Sequence, residues 1–142
     1  MGSLNIYLAF NGNCETAFQH YKKVFGGEFM THMTFGEMPD GPPLPEESKN
    51  LLMHVSLPIK GNVLMGCDMP TSMPPATIGN NFNISVNVDS EAEGDKIFSG
   101  LSEGGKVTMP MQKTFWSPYF GMFTDQFGIQ WMVGIDGGPL EK

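Results

Sequence analysis

The strongest constraint on the fold is an internal repeat. Asn5-Ile6 aligns with Asn83-Ile84 at an offset of 78, and the same offset places Gly26-Gly27 on Gly104-Gly105. Each copy begins with alternating apolar residues, continues with helical spacing and stops at its glycine pair. Self-similarity of this kind predicts two copies of one supersecondary unit.

Each copy has one predicted helix. The first runs from about Cys14 to Phe25, with Asn13 as its N-cap, and the second follows Ser90-Glu91-Ala92-Glu93, which has the form of a capping box. The apolar positions expected to face the core are Ala17, Phe18, Tyr21 and Phe25 in the first helix and Ile97, Phe98 and Leu101 in the second. These positions match at an offset of 80, so the copies differ by two positions before the glycine pair.

The remaining periodic segments predict strands. They are residues 6–10, 28–35, 51–58 and 63–67 in the first copy and 82–88, 106–112, 119–125 and 129–133 in the second. The hairpin glycines Gly61 and Gly128 align at an offset of 67, which places Met65 on Met132. Each copy therefore reads βαβββ, and the fold class is α+β.

The predicted organisation is one domain over residues 1–142. Module one covers about 4–68, a proline-containing linker about 69–81, and module two about 82–134. A second loop, residues 36–49, is rich in proline and acid. It is either a solvated excursion or a binding lid.

Charge and composition exclude several classes of partner. Fifteen acidic against eight basic residues give a formal charge of -7, which repels nucleic acid and anionic membrane surfaces. No apolar run approaches the length of a membrane span. Two cysteines without metal-type spacing predict no disulfide framework, so we expect a protein of the reducing cytoplasm. Twelve methionines suit an irregular core or an adaptable apolar pocket.

Four segments form a distinctive set: Leu8 to Phe18 (LAFNGNCETAF), Met53-His54-Val55, Val63 to Asp68 (VLMGCD) and Thr108 to Gly121 (TMPMQKTFWSPYFG). Together with the tandem βαβββ pattern they resemble the PhnB-like branch of the glyoxalase/bleomycin-resistance/dioxygenase (vicinal oxygen chelate) superfamily. That branch is sometimes labelled 3-demethylubiquinone methyltransferase-like. The resemblance implies two modules that form a curved mixed sheet around a cavity, and a homodimer. It gives no methyltransferase chemistry, because no glycine-rich nucleotide loop follows a strand.

The resemblance also allows a test for metal chemistry. In metal-dependent members each module supplies one ligand from its first strand and one from its last. Here those positions fall on Asn5 and Met65 and on Asn83 and Met132. An amide paired with a thioether suits neither hard divalent ions nor zinc, and the adjacent residues bring no ligands either. We therefore expect no metal and no cofactor.

The predicted ligand-binding residues are Asn5, Tyr7, His54, Met65, Asn83, Phe115, Trp116 and Met132. His54 is either a core histidine with a backbone or water partner, or a cavity-facing donor, base or ligand. The aromatic segment 115–120 is either a pocket wall, a hydrophobic plug or an interface. Cys67 is interpreted as structural, because no basic residue adjoins it in the sequence.

The leading functional hypothesis is a PhnB-like protein of unassigned activity that binds a small, partly apolar molecule without a metal. The alternative is a divergent metal-dependent lyase, isomerase or dioxygenase that uses His54. A third hypothesis is an assembly module whose aromatic segment forms a symmetric dimer. Catalytic residues are not identifiable from the sequence.

Overall fold

Alternating apolar residues build the strands, and residues with helical spacing build the helices that cover them. The computed structural model describes residues 4–37 and 46–136. The regular elements are β1 (Ile6–Phe10), α1 (Cys14–Phe25), β2 (Thr31–Thr34), β3 (Leu52–Ile59), β4 (Asn62–Asp68), β5 (Ile84–Val88), α2 (Glu91–Ser102), β6 (Lys106–Gln112), β7 (Phe120–Thr124) and β8 (Gln130–Ile135). The predicted α+β class and the tandem βαβββ order are confirmed.

The chain divides into two compact units, Met1–Thr77 and Ile78–Lys142. The first unit holds a four-stranded sheet in the order β1-β4-β3-β2, and the second holds one in the order β5-β8-β7-β6. In each sheet one pair is parallel (β1 with β4, β5 with β8), and the other neighbours are antiparallel. Both sheets are therefore mixed. The boundary between the units lies inside the predicted linker, residues 69–81.

Strand pairing confirms both offsets of the repeat. Tyr7 pairs with Met65 in the first sheet, and Ser85 pairs with Met132 in the second. Ser85 follows Tyr7 by the first-strand offset, and Met132 follows Met65 by the hairpin offset. The two sheets thus share one register, although the spacing between their strands differs.

Each helix packs on one face of its own sheet. Ala17, Phe18 and Tyr21 of α1 are fully buried against the β1–β4–β3 face that carries Leu8 and Val55. Phe25, which we predicted to be buried, is partly exposed, because it is the last helical residue before Gly26 turns the chain at a φ of 81°. The opposite faces of both sheets carry no helix among the described residues.

The helix N-termini are capped differently. The Ser90 hydroxyl accepts the Glu93 N–H at 3.1 Å, and the Glu93 carboxylate accepts the Asp89 N–H at 3.0 Å, which confirms the predicted cap of α2. Asn13 occupies the N-cap position of α1, as predicted, but its side chain makes no capping hydrogen bond. Asp68, at the end of β4, accepts the N–H groups of Gly12 and Cys14 instead, each at 2.9 Å.

Loops differ from the prediction at their ends. β2 is shorter than the predicted strand 28–35, and a bulge lies between Met33 and Thr34. The predicted loop 36–49 lies partly outside the described residues, and its described parts contain short 3₁₀ turns at Phe35–Glu37 and Glu46–Ser48. In the part of the chain that the structure describes, no helix is long and apolar enough to cross a membrane.

Candidate functional site

The helix-free face of the first sheet carries three of the predicted site residues. Tyr7 and Met65 are cross-strand partners, and Ser56 is the partner of Met65 on the other side. Residues on one face alternate along a strand, so His54 points to the same face as Ser56. Tyr7, His54 and Met65 therefore lie together, as predicted. Asn5 precedes β1 on the same face and is exposed.

Tyr7 and His54 form a direct contact on this face. The Tyr7 hydroxyl lies 3.1 Å from His54 Nδ1, and the two ring centroids are 5.6 Å apart. Burial of the hydroxyl end and the nearby Cys67 thiol raise the pKa of Tyr7 to about 12. The phenol consequently keeps its proton throughout the physiological range, and it can both donate and accept a hydrogen bond.

Cys67, which we interpreted from the sequence as structural, lies beside Tyr7 in the sheet. It pairs with Ala9 in the parallel β1–β4 ladder, so it lies on the Tyr7 face, where its side chain contributes to the raised pKa of Tyr7. The sequence shows no basic residue beside Cys67, but the neighbours of Cys67 in the sheet come from another strand. Strand alternation would have placed Cys67 on the face of Met65, two positions earlier in β4.

The helix-free face of the second sheet borders an open cavity of about 490 Å³. Met109, Met122 and Met132 are successive cross-strand partners on β6, β7 and β8, and all three line this cavity. Trp116 and Phe120 add aromatic wall, with their ring centroids 5.3 Å apart. Two of the predicted site residues, Trp116 and Met132, thus lie in one cavity.

The polar groups of this cavity come from strand positions beside the methionines. Ser85 and Asn87 project from β5, and Asp136 follows β8. Asn83, a predicted site residue, is exposed and lies outside the lining, two positions before Ser85. The repeat aligns Asn83 with Asn5, but it does not show which strand residues border a cavity.

The loop before β7 holds the aromatic wall in place. Ser117 is 5% exposed, and its hydroxyl lies 3.0 Å from the Tyr119 carbonyl oxygen and 2.6 Å from that of Ile135. Its N–H donates to the Thr114 hydroxyl. Trp116 thus lies in a loop that is held at Thr114 and Ser117 by these hydrogen bonds. Phe115, also predicted to bind ligand, is 90% exposed and contacts the Trp116 ring from outside the cavity.

Within the described residues, 4–37 and 46–136, no group of three or more His, Cys, Asp or Glu side chains is placed to hold a metal ion. A further cavity, of about 430 Å³, lies in the first unit between Asn11, Glu47 and Met73, and it contains none of the predicted site residues.

Comparison with known proteins finds one matching family and several similar proteins. A family model described as the Glyoxalase/Bleomycin resistance protein/Dioxygenase superfamily matches residues 3–133. Protein YjdN of Escherichia coli K12 is 32% identical, with 93% of this chain and 94% of that protein aligned. The crystal structure of PA1353 from Pseudomonas aeruginosa has a TM-score of 0.82 at 41% identity, over 94% of this chain and 98% of that one. The PhnB protein of Bacillus cereus has a TM-score of 0.77 at 21% identity, over 94% and 99%.

Proposed function

Because the chain belongs to the glyoxalase/bleomycin resistance protein/dioxygenase superfamily, we propose that it binds a small, partly apolar molecule by direct contact, without a metal ion. The observation that carries the proposal is the cavity of about 490 Å³ on the second sheet. Its volume falls in the range of small-molecule sites, roughly 300–1,000 Å³. The similarity to PhnB proteins supports the fold assignment but assigns no reaction.

The chemistry of the cavity supports a partly apolar ligand. Three thioethers form a soft, polarizable floor that adapts to the shape of a ligand, and Trp116 offers a flat ring for stacking. Ser85 and Asn87 supply hydrogen bonds at one side. A largely apolar wall with a few fixed polar groups is the usual composition of such a site.

The remaining predicted ligand-binding residues stay proposals within their own units. Asn5, Tyr7, His54 and Met65 belong to the helix-free face of the first sheet, and Asn83 and Phe115 belong to the second unit. The exposed Phe115 ring further supports a homodimer, since aromatic side chains on the surface are enriched at protein–protein interfaces. Cys14 and Cys67 form no disulfide bond, which fits the proposed cytoplasmic location.

The metal chemistry of the superfamily does not fit these residues. The positions that correspond to the metal ligands are Asn5 and Asn83, directly before β1 and β5, and Met65 and Met132 on β4 and β8. A thioether paired with an amide is a poor ligand set for a hard divalent ion or for zinc. No group of three or more His, Cys, Asp or Glu side chains that includes His54 is placed to hold an ion within residues 4–37 and 46–136. This favours direct binding over the alternative of a divergent metal-dependent enzyme that uses His54.

A neutral fluorescent probe tests the cavity. N-phenyl-1-naphthylamine is apolar and aromatic, and we expect saturable binding with a rise in its fluorescence. Met132→Gln replaces a lining thioether by an amide, so the affinity should fall about tenfold, as expected for one extra polar group to desolvate. Met30→Gln is the matched control, because Met30 is 65% exposed and lies in the first unit.

Two results would overturn the proposal. One is the absence of saturable probe binding by the wild-type protein. The other is equal affinity in the Met132→Gln and Met30→Gln variants, which would place the probe elsewhere. Circular dichroism of both variants ensures that the comparison is made between folded proteins.

A further inference from the structure

Three side chains that carry ionisable or nucleophilic groups meet on the helix-free face of the first sheet. Tyr7 comes from β1, His54 from β3 and Cys67 from β4, the strand between them. The Tyr7 hydroxyl lies 3.1 Å from His54 Nδ1. Cys67 lies on the same face of the adjacent strand, and its side chain is near enough to the Tyr7 hydroxyl to raise the pKa of that phenol. One hydroxyl is thus close to both a thiol and an imidazole.

This chain can carry a proton from Cys67 to His54 when His54 Nδ1 has no proton. A thiol donates through its S–H, a phenol donates and accepts through one oxygen, and a neutral imidazole accepts at the nitrogen that lacks a proton. Cys67 can therefore donate to Tyr7 while Tyr7 donates to His54 Nδ1. A proton that leaves Cys67 enters the phenol as the phenol proton passes to the imidazole, so Tyr7 stays neutral throughout, as its raised pKa requires.

The two cysteines of the chain differ in accessibility. Cys67 is partly exposed, on the same face as Tyr7, which is 51% exposed. Cys14, the first residue of α1, is fully buried, and burial together with the nearby Asp68 carboxylate raises the pKa of its thiol. Small molecules thus have access to only one of the two thiols in the folded protein.

We propose that Cys67 is a nucleophile for α,β-unsaturated carbonyl compounds, with Tyr7 and His54 as the relay that accepts its proton. The sulfur forms a bond to the β-carbon while the C=C π bond breaks and its electron pair moves to the α-carbon and carbonyl oxygen. The thiol proton passes through Tyr7 to His54, and the α-carbon takes a proton from water. His54 then returns its proton to the solvent, so no oxidant, reductant or leaving group is needed.

N-ethylmaleimide is the probe, since it is a compact α,β-unsaturated dicarbonyl. Intact-mass and peptide mass spectrometry would follow its addition to each cysteine at pH 7. We expect one adduct, on Cys67. Tyr7→Phe breaks the relay but keeps the ring, and His54→Gln removes the proton acceptor. Each variant should slow the formation of the Cys67 adduct at least about tenfold. This is less than the roughly 100- to 10,000-fold that a positioned general base contributes.

The pH profile separates a relay from a structural effect. At pH 10 hydroxide removes the thiol proton directly, while Tyr7 is still neutral because its pKa is about 12. The variants should then react as fast as the wild-type protein. His32→Gln is the control, because His32 lies on the surface in contact with Glu15 at 2.7 Å, and its reaction rate should be unchanged.

Cys14 reports on folding within the same experiment. A variant that unfolds exposes Cys14 to the reagent, so a second adduct, on Cys14, identifies an unfolded variant. The test then depends on the other of the two variants, Tyr7→Phe or His54→Gln. Equal rates at pH 7 for wild-type and folded Tyr7→Phe or His54→Gln protein would overturn the proposal. A wild-type protein in which Cys67 resists the reagent would overturn it as well. Neither outcome depends on what the cavity of the second sheet binds.

Discussion

At the scale of single residues, Asp68 holds the first unit together at the end of β4. Its side chain is buried, with 2% of its surface exposed. One oxygen accepts the N–H groups of Gly12 and Cys14, and the other accepts that of Leu52 at 3.0 Å. A single carboxylate thus connects the start of α1 and the start of β3 to β4.

Asp68→Asn tests this role. An amide has one acceptor oxygen, so at least one of the three backbone N–H groups would face an NH₂ donor and lose its partner. We expect a loss of about 2–3 kcal/mol in the free energy of unfolding, measured by urea denaturation, because buried hydrogen bonds to a charged group are involved. Asp89→Asn, at an exposed position, should change stability by less than about 0.5 kcal/mol. Equal midpoints for the two variants would contradict the assignment.

At the scale of elements, each helix packs onto a glycine of its sheet. Phe18 of α1 lies over Gly66 of β4, and Phe98 of α2 lies over Gly121 of β7. The two phenylalanines are equivalent in the repeat, at the helix offset of 80, but the two glycines lie on non-equivalent strands. Each unit therefore packs a helical phenylalanine on a strand glycine, but the glycines lie on different strands of the repeat.

Gly66→Ala tests the close approach of α1 to its sheet. An added Cβ would lie 2.6 Å from Phe18 Cε1 and 3.1 Å from the Leu8 carbonyl oxygen, so the helix must shift. Overpacking of this kind costs about 1–3 kcal/mol, which thermal or urea unfolding would measure. In Gly79→Ala the nearest atom, Asn81 Oδ1, is 3.8 Å away, and this control should retain full stability. A Gly66→Ala variant as stable as the control would show that α1 packs less closely.

At the scale of the whole molecule, the repeat predicted the order of elements in each copy. It did not predict which strands pair, although the observed pairings of Met65 with Tyr7 and of Met132 with Ser85 agree with its offsets. Contacts between distant segments were not predictable. The Asp68 cap and the Cys67–Tyr7–His54 chain both depend on side chains from separate strands, and the sequence shows no local sign of either. The single-domain organisation stays a prediction, as does the homodimer.

Sedimentation over a range of concentrations tests the homodimer. We expect the wild-type protein to have twice the chain mass of 15.6 kDa. Phe115→Ser should shift the equilibrium toward the monomer, because it removes an exposed ring that contacts Trp116 from outside the cavity. Phe82→Ser is a control at another exposed aromatic position. A monomeric wild-type protein, or a Phe115→Ser dimer of unchanged affinity, would contradict the proposed interface.

The two unequal offsets of the repeat also bear on how such a chain changes over generations. The inequality arises between the first and last strands of a copy, while Tyr7 with Met65 and Ser85 with Met132 keep the same pairing. From Thr34 to Leu52 the first copy uses a much longer connection than the second uses from Gln112 to Phe120. The fold therefore accommodates connections of different length between equivalent strands, and a library that varies length between β2 and β3 should yield folded proteins far more often than one that varies β4.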